Sequence, residues 1–211
     1  AIEALMPAAG NEAMRRAGHW LIESDETHGF LSNHLAAAAA ALHHVFMLTK
    51  DVRFRERSAV FLDRILDHQS SEGWYEEYGG ADFGYQTHGT FYLARLLELS
   101  PDPRLAESLA RAVHFQGLFI HPDRSLGGEY GSRNTQTYYP AAFEMLAARD
   151  KAAAWIAQTM RPAIDDASAA GMRAVDAYNL FPMLNNLAFA LWACLGPGHA
   201  AAVSEVAGRD D

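Results

Sequence analysis

The sequence predicts an all-α chain in which inner and outer helices alternate. This describes an α/α toroid, that is an incomplete α/α barrel or a sizeable arc of one, of about eight to nine helices. Three observations carry the prediction. One loop-to-helix design returns along the chain, with helix starts at Asn33, Gly84, Asn134 and Asp176, in steps of 51, 50 and 42 residues. Helices that are apolar on most sides alternate with amphipathic ones. No stretch alternates between polar and apolar residues over a useful length, so no substantial sheet is expected.

Each element has its own local reason. Glu3 to Glu23 carries Leu5, Ala9, Ala13, Ala17, Trp20 and Leu21 near one side and reads as an amphipathic helix. After the polar loop 24–30, Ser32 is the expected N-cap of a helix running to Leu48. The run Leu35 to Leu42 is apolar all round, as suits an inner helix. Asp51 to Gln69 sets a stripe of Phe54, Phe61, Leu62, Ile65 and Leu66 against charged residues, as suits an outer one.

The stretch from Gln69 to Leu97 is the centre of the design. Gly73, Gly79, Gly80 and Gly84 make its first half a turn-rich loop. From Gly84 to Leu99 the spacing predicts an inner helix, with Tyr85, His88, Gly89 and Tyr92 on one face. Pro101-Asp102-Pro103 then starts an outer helix from Arg104 to Phe119. The loop Gly127 to Asn134 repeats the Glu-Tyr-Gly of Glu77-Tyr78-Gly79 at Glu129-Tyr130-Gly131, ahead of an inner helix Thr135 to Ala148. Lys151 to Met160 is the short outer partner of that helix, and Asp176 to Leu195 is the fourth inner helix, kinked at its start by Pro182.

Composition sets the limits. Half the residues are hydrophobic and a fifth are charged, enough for a sizeable core. Residues 1–211 fit a single toroid domain, and a fragment of a longer chain, completed by a second domain or partner chain, stays equally open. No apolar run approaches ~20 residues, so no membrane span is expected. The N-terminus lacks a signal-peptide pattern but begins at Ala1 rather than Met, which leaves cytoplasmic and periplasmic settings both open. Cys194, the single cysteine, excludes an internal disulfide and is expected as a buried thiol. With a net charge of −9 and no basic run beyond Arg53 to Arg57, nucleic acid is a poor partner.

Gln69-Ser70-Ser71-Glu72-Gly73-Trp74 resembles the Q-x-x-D/E-G-x-W repeat ends of α/α toroids, with one residue fewer. Asn33-His34 opening an Ala/Leu helix, followed by the Gly84-Tyr85-Gln86 junction, is similar to the toroid part of heparinase II/III-type polysaccharide lyases. More distantly, the repeat ends resemble terpenoid-cyclase toroids. The likeness covers roughly residues 28 to 140 and implies a toroid that cleaves or binds an acidic polysaccharide. Two features depart from these families: no β-rich segment follows the helices, and the Asp-x-Asp-Asp motif of triterpene cyclases is absent.

Eliminative cleavage of a uronic-acid polymer needs a group that neutralises the carboxylate, a base for the adjacent proton and an acid for the leaving oxygen. Tyr85, His88, Tyr138 and Arg133 are the catalytic candidates. Asn33, His34, Tyr130, Asn134, Tyr139 and Asn179 sit beside them at the expected helix mouths. Equally, Tyr and His line toroid interiors by bonding each other. Of the loop acids Glu77, Asp82 and Glu129, the first and last are repeat-equivalent, and two carboxylates roughly 5–10 Å apart would suit glycoside hydrolysis. Asp82, just before a helix, is better read as a cap. Trp74, Tyr75, Tyr78 and Phe83 either stack on sugar rings or pack their own loop. No metal or cofactor is implied: the histidines form no i, i+4 pair. The leading expectation is therefore a lyase-like site, or a binding site, for a carbohydrate polymer or oligosaccharide. A non-catalytic scaffold for a peptide or partner domain is the alternative, and a hydrolase using Glu77 and Glu129 is the third reading.

Overall fold

A computed structural model describes residues 8–207, and among them all regular structure is helical. The elements are α1 (Ala8–Glu23), α2 (Ser32–Thr49), α3 (Val52–Asp67), α4 (Phe83–Leu99), α5 (Pro103–Gly117), α6 (Ala141–Leu146), α7 (Lys151–Asp165) and α8 (Ala177–Ala207). Aspartates start most of them. Asp51, Asp82, Asp102 and Asp150 each sit at an N-cap with extended backbone and accept an N–H of the first turn. Asp176 accepts from Asn179 N at 2.9 Å at the head of α8. Each such bond satisfies an amide that the helix itself leaves free, for about 1 kcal/mol.

The helices pack in two layers. The even-numbered ones touch in sequence, α2 on α4, α4 on α6 and α6 on α8, and the odd-numbered ones likewise, α1 on α3, α3 on α5 and α5 on α7. Between the layers each even helix from α2 to α6 packs on the odd helix that follows it, α2 on α3, α4 on α5 and α6 on α7. Two cores result, and α4 serves both. Its Leu93 and Leu96 join Leu35, Leu42, Phe61 and Ile65, while its Phe91 and Ala94 join Val113, Phe143, Ile156 and Met160. Each such large side chain contributes roughly 1.5–3 kcal/mol by leaving water. Small residues let the even layer close up: a Cβ added to Gly89 of α4 would lie 3.2 Å from Asn33 Cα of α2.

Several boundaries differ from expectation. Residues 3–7 of the expected first helix, Leu5 among them, lie outside the described residues. Ser32 is not the cap of α2: Leu31 holds that position without a side-chain bond, and Ser32 Oγ donates to Glu76 O at 2.8 Å. The third even helix does not begin at Thr135. Residues 135–140 run outside any helix, Tyr138 N donates to Ala170 O, and α6 starts only after Pro140. Proline disfavours helical backbone in the residue before it, so Tyr139 cannot lead a helix through. In α8 the departure from helical dihedrals falls at Gly196 (φ 54°, ψ 168°) and not at Pro182. Cys194, expected buried, is exposed on α8. No described helix is long and apolar enough to cross a membrane.

Candidate functional site

The mouths of α2 and α4 are built by side chains from later loops. The backbone of Glu76 to Tyr78 pairs with Phe30 to Ser32 through Ser32 N to Glu76 O (3.1 Å) and Tyr78 N to Phe30 O (3.2 Å). That pairing sets Glu77 directly over the first turn of α2. Its carboxylate accepts Asn33 N and Asn33 Nδ2, each at 2.7 Å, and does for α2 what Leu31 cannot. Glu77 is only 1% exposed. Burial pushes its carboxyl up to about 8, against the two Asn33 donors that favour the charged form.

Asp82 is fully buried and works in two directions. One oxygen accepts Tyr85 N at 3.1 Å, capping α4. The other accepts Arg133 N at 2.9 Å and Thr135 N at 3.3 Å, tying the loop before α6 to the mouth of α4. Ser132 completes the tie, donating Oγ to Glu77 O (2.7 Å) and N to Ala81 O (2.8 Å).

Above this bracing, α4 presents an aromatic shelf. Tyr85, His88 and Tyr92 share one face, and Tyr139 arrives from the chain before α6. The His88 ring stacks on Tyr139 with centroids 4.2 Å apart and planes 15° apart, and its Nε2 lies 3.2 Å from Tyr92 Oη. Thr87 Oγ1 accepts Tyr139 N at 3.1 Å, which fixes the backbone of the stacking partner. Burial, with the charge of His34 nearby, lowers the His88 pKa to about 4, so the ring is neutral at neutral pH. Tyr85 is half-buried, and its hydroxyl pKa is raised by burial while Arg133 pulls it back. At one edge the Arg133 guanidinium lies 4.3 Å from the centre of the Tyr78 ring. At the other, exposed His34 bonds through Nδ1 to Glu26.

Not every sequence candidate joins the shelf. Tyr138 and Tyr139 are neighbours on non-helical chain and point to different surroundings. Tyr138 stacks on Phe143 (5.6 Å) and lines a cavity of about 490 Å³ with Ile164, Ala170, Met172 and Leu187. Its buried Oη has no partner among the described residues, and burial holds the pKa well above the usual tyrosine value. It is therefore not an acid/base partner of Tyr85. Glu77 and Asp82 are buried caps rather than sugar ligands, and Asn33 is held by Glu77. Glu129 is exposed whereas Glu77 is buried, so the two repeat-equivalent glutamates end in different environments.

The remaining candidates lie at the rim. Tyr130 is exposed, packs edge-on to Phe83 at 5.3 Å and bonds to His121. Asn134 adopts a left-handed φ of 56° and, with its amide turned to donate, reaches Gly131 O at 2.8 Å. Asn179 is half-buried at the head of α8 and bonds Asp176. Trp74 is half-buried with Nε1 donating to Glu72 at 2.9 Å, whereas Tyr75 and Phe83 are core residues. Tyr92, Thr87 and Glu26 belong to the arrangement although only Tyr92 had a sequence signal, its place on the Tyr85 face. No group of three His, Cys, Asp or Glu side chains among the described residues is placed to hold a metal ion.

Comparison with protein-family models, with curated proteins and with solved structures finds no match. The shelf brings together the half-buried phenols of Tyr85 and Tyr92, the buried neutral imidazole of His88 stacked on buried Tyr139, and the exposed guanidinium of Arg133 at its edge. Of these groups, the Arg133 guanidinium is open to solvent and the Tyr85 and Tyr92 rings are open in part.

Proposed function

We propose that the even and odd helices are the inner and outer helices of an α/α-toroid arc, similar to the toroid part of heparinase II/III-type lyases. On this reading the shelf binds an acidic oligosaccharide and cleaves it by elimination. The observation that carries the proposal is the convergence of Tyr85, His88, Tyr92 and Tyr139 on one face of α4, beside Arg133. The layered packing supports the toroid, since even helices touch in sequence and odd helices do likewise.

In the reaction Arg133 faces the sugar carboxylate and stabilises the charge that builds there when the adjacent C–H bond breaks. Neutral His88 takes that proton. The electron pair forms the new C=C bond, and the C–O bond to the leaving sugar breaks. Tyr85, kept protonated by its raised pKa, delivers its proton to the leaving oxygen. Proton exchange with solvent restores both groups. Hydrolysis by Glu77 and Glu129 draws less support, because Glu77 is engaged by Asn33.

The test is incubation with a panel of uronic-acid polysaccharides. Elimination gives an unsaturated product with new ultraviolet absorbance. Tyr85→Phe is expected to lower turnover by roughly 10²–10⁴ while changing stability by about 1 kcal/mol at most. Adding His88→Ala to it should cost much less than the product of the single losses, because both act on one step. New reducing ends without absorbance would move the assignment to hydrolysis. Saturable binding without turnover would favour the non-catalytic scaffold.

A further inference from the structure

The last even helix, α8, carries two apolar faces, of which the described residues cover only one. Met183, Asn186 and Ala190 are buried against α6, where Asn186 Oδ1 accepts Ala141 N at 3.0 Å. The opposite face holds Phe181, Leu184, Ala188, Leu191 and Leu195, at steps of three, four, three and four residues, and all five are exposed. Phe181 is 79% exposed, Leu191 60% and the flanking Trp192 81%. No charged residue occurs between Ala177 and Gly196. Contiguous apolar surface of this kind marks an interface, and alternating steps of three and four are the seam of a shallow helix–helix pairing.

We infer that this face pairs with the same face of a second copy of the chain, antiparallel, across a two-fold axis at Ala188. The seam is self-complementary in that arrangement. About Ala188, Phe181 meets the partner's Leu195, and Leu184 meets the partner's Leu191 and Trp192. The small Ala188 at the axis lets the two backbones approach. A two-fold interface brings every residue near its own copy or mirror position, so a charge-free seam avoids like-charge repulsion. A charged rim borders the patch, where Arg95, Glu98 and Glu144 edge a groove with Phe189 and Trp192. An apolar centre with a charged rim is the usual anatomy of an interface. The pairing also continues the even layer. Helices α4 and α6 each have an even neighbour on both sides, whereas α8 has only α6 among the described residues.

Sedimentation equilibrium over concentrations up to about 100 µM tests this, since pairing is governed by mass action. The mass of two chains is expected, falling to that of one when Phe181→Glu and Leu191→Glu are introduced together, with helical circular dichroism unchanged. Cross-linking reads the geometry in a Cys194→Ser background. Ala188→Cys is expected to form a two-chain disulfide on oxidation. Leu184→Cys alone should not, but should do so when mixed with a Leu191→Cys chain. A one-chain mass at every concentration would overturn the inference. So would a two-chain mass that survives the double glutamate variant, or self-cross-linking of Leu184→Cys as efficient as that of Ala188→Cys, which would mean a parallel pair.

Discussion

Glu77-Tyr78-Gly79 and Glu129-Tyr130-Gly131 are the same tripeptide, each in a glycine-rich loop ahead of an even-numbered helix, yet the two glutamates end in opposite environments. Glu77 is buried and caps α2, the helix of the preceding repeat. Glu129 is exposed. The difference lies in what each loop finds beneath it. The first lies over α2, whose cap position holds Leu31 and offers no side-chain acceptor. The second lies over α4, where Asp82 already accepts Tyr85 N and has an oxygen left to hold the loop. A third case fits the rule. At α6 the cap position is Pro140, without a side-chain bond, and the acceptor for Ala141 N is again distant, Asn186 of α8. Helices that cannot cap themselves are capped by the next repeat, and this locks neighbouring repeats in register.

The comparison breaks most sharply at Asp82. Asp82→Ala removes the acceptor of three amides at a fully buried position and is expected to cost about 3 kcal/mol or more in urea unfolding. Glu77→Ala orphans Asn33 N and Nδ2 and should cost about 2–3 kcal/mol. Glu129→Ala should stay within about 0.5 kcal/mol, as exposed substitutions do. Equal losses for the two glutamates would show that the loops do the same work after all.

The pH dependence isolates Glu77. Its folded pKa, about 8, lies above the ordinary 4.5, so folding binds a proton more tightly than the unfolded chain does. Its contribution is present in full below pH 4.5 and is lost as pH rises through 8. His88, lowered to about 4 from 6.5, acts the other way: its contribution is present above 6.5 and is lost as pH falls through 4. His43 and His44 are also lowered, mainly by burial. Below pH 6.5 these effects oppose one another. Between 6.5 and 8 Glu77 acts alone among them, and stability should fall by at most about 1.4 kcal/mol per pH unit. Glu77→Gln, shaped like the protonated acid, should flatten that window. A wild-type curve already flat there would mean that the Asn33 donors keep Glu77 charged.

These contrasts also show what could be read from the chain. The helices α3 to α5 were legible because each combines an apolar period with a local start signal, Asp51, Asp82 or Asp102 with Pro103. Asp82 as a cap was legible for the same reason: it lies next to its helix. Glu77 was not, since its partner Asn33 lies 44 residues away and no local pattern names it. The pair Tyr138 and Tyr139 looked alike in sequence, and only the non-helical backbone before Pro140 separates the His88 stack from the Phe143 stack. The exposure of Cys194 was hidden too, because an apolar run does not say which of its faces is covered.

The smallest expected effect tests the backbone of the same two loops. Tyr78 adopts a left-handed φ of 55°, and Tyr130 does not; in the second loop the left-handed residue other than glycine is Asn134 (φ 56°). A tyrosine in that region carries about 1 kcal/mol of strain, whereas asparagine tolerates it. Tyr78→Gly would relieve the strain but add roughly 0.5–1 kcal/mol of unfolded-chain entropy, and it loses the exposed contact with Arg133. The terms nearly cancel, so the change should be within about 0.5 kcal/mol. Tyr130→Gly has no strain to release and gives up packing on Phe83 and Phe119, at 5.3 and 5.9 Å. It should cost about 1–2 kcal/mol. Paired thermal melts of the two variants decide the matter. If Tyr78→Gly proves the more damaging, the first loop is held by its tyrosine ring, and Glu77 is not the main anchor there.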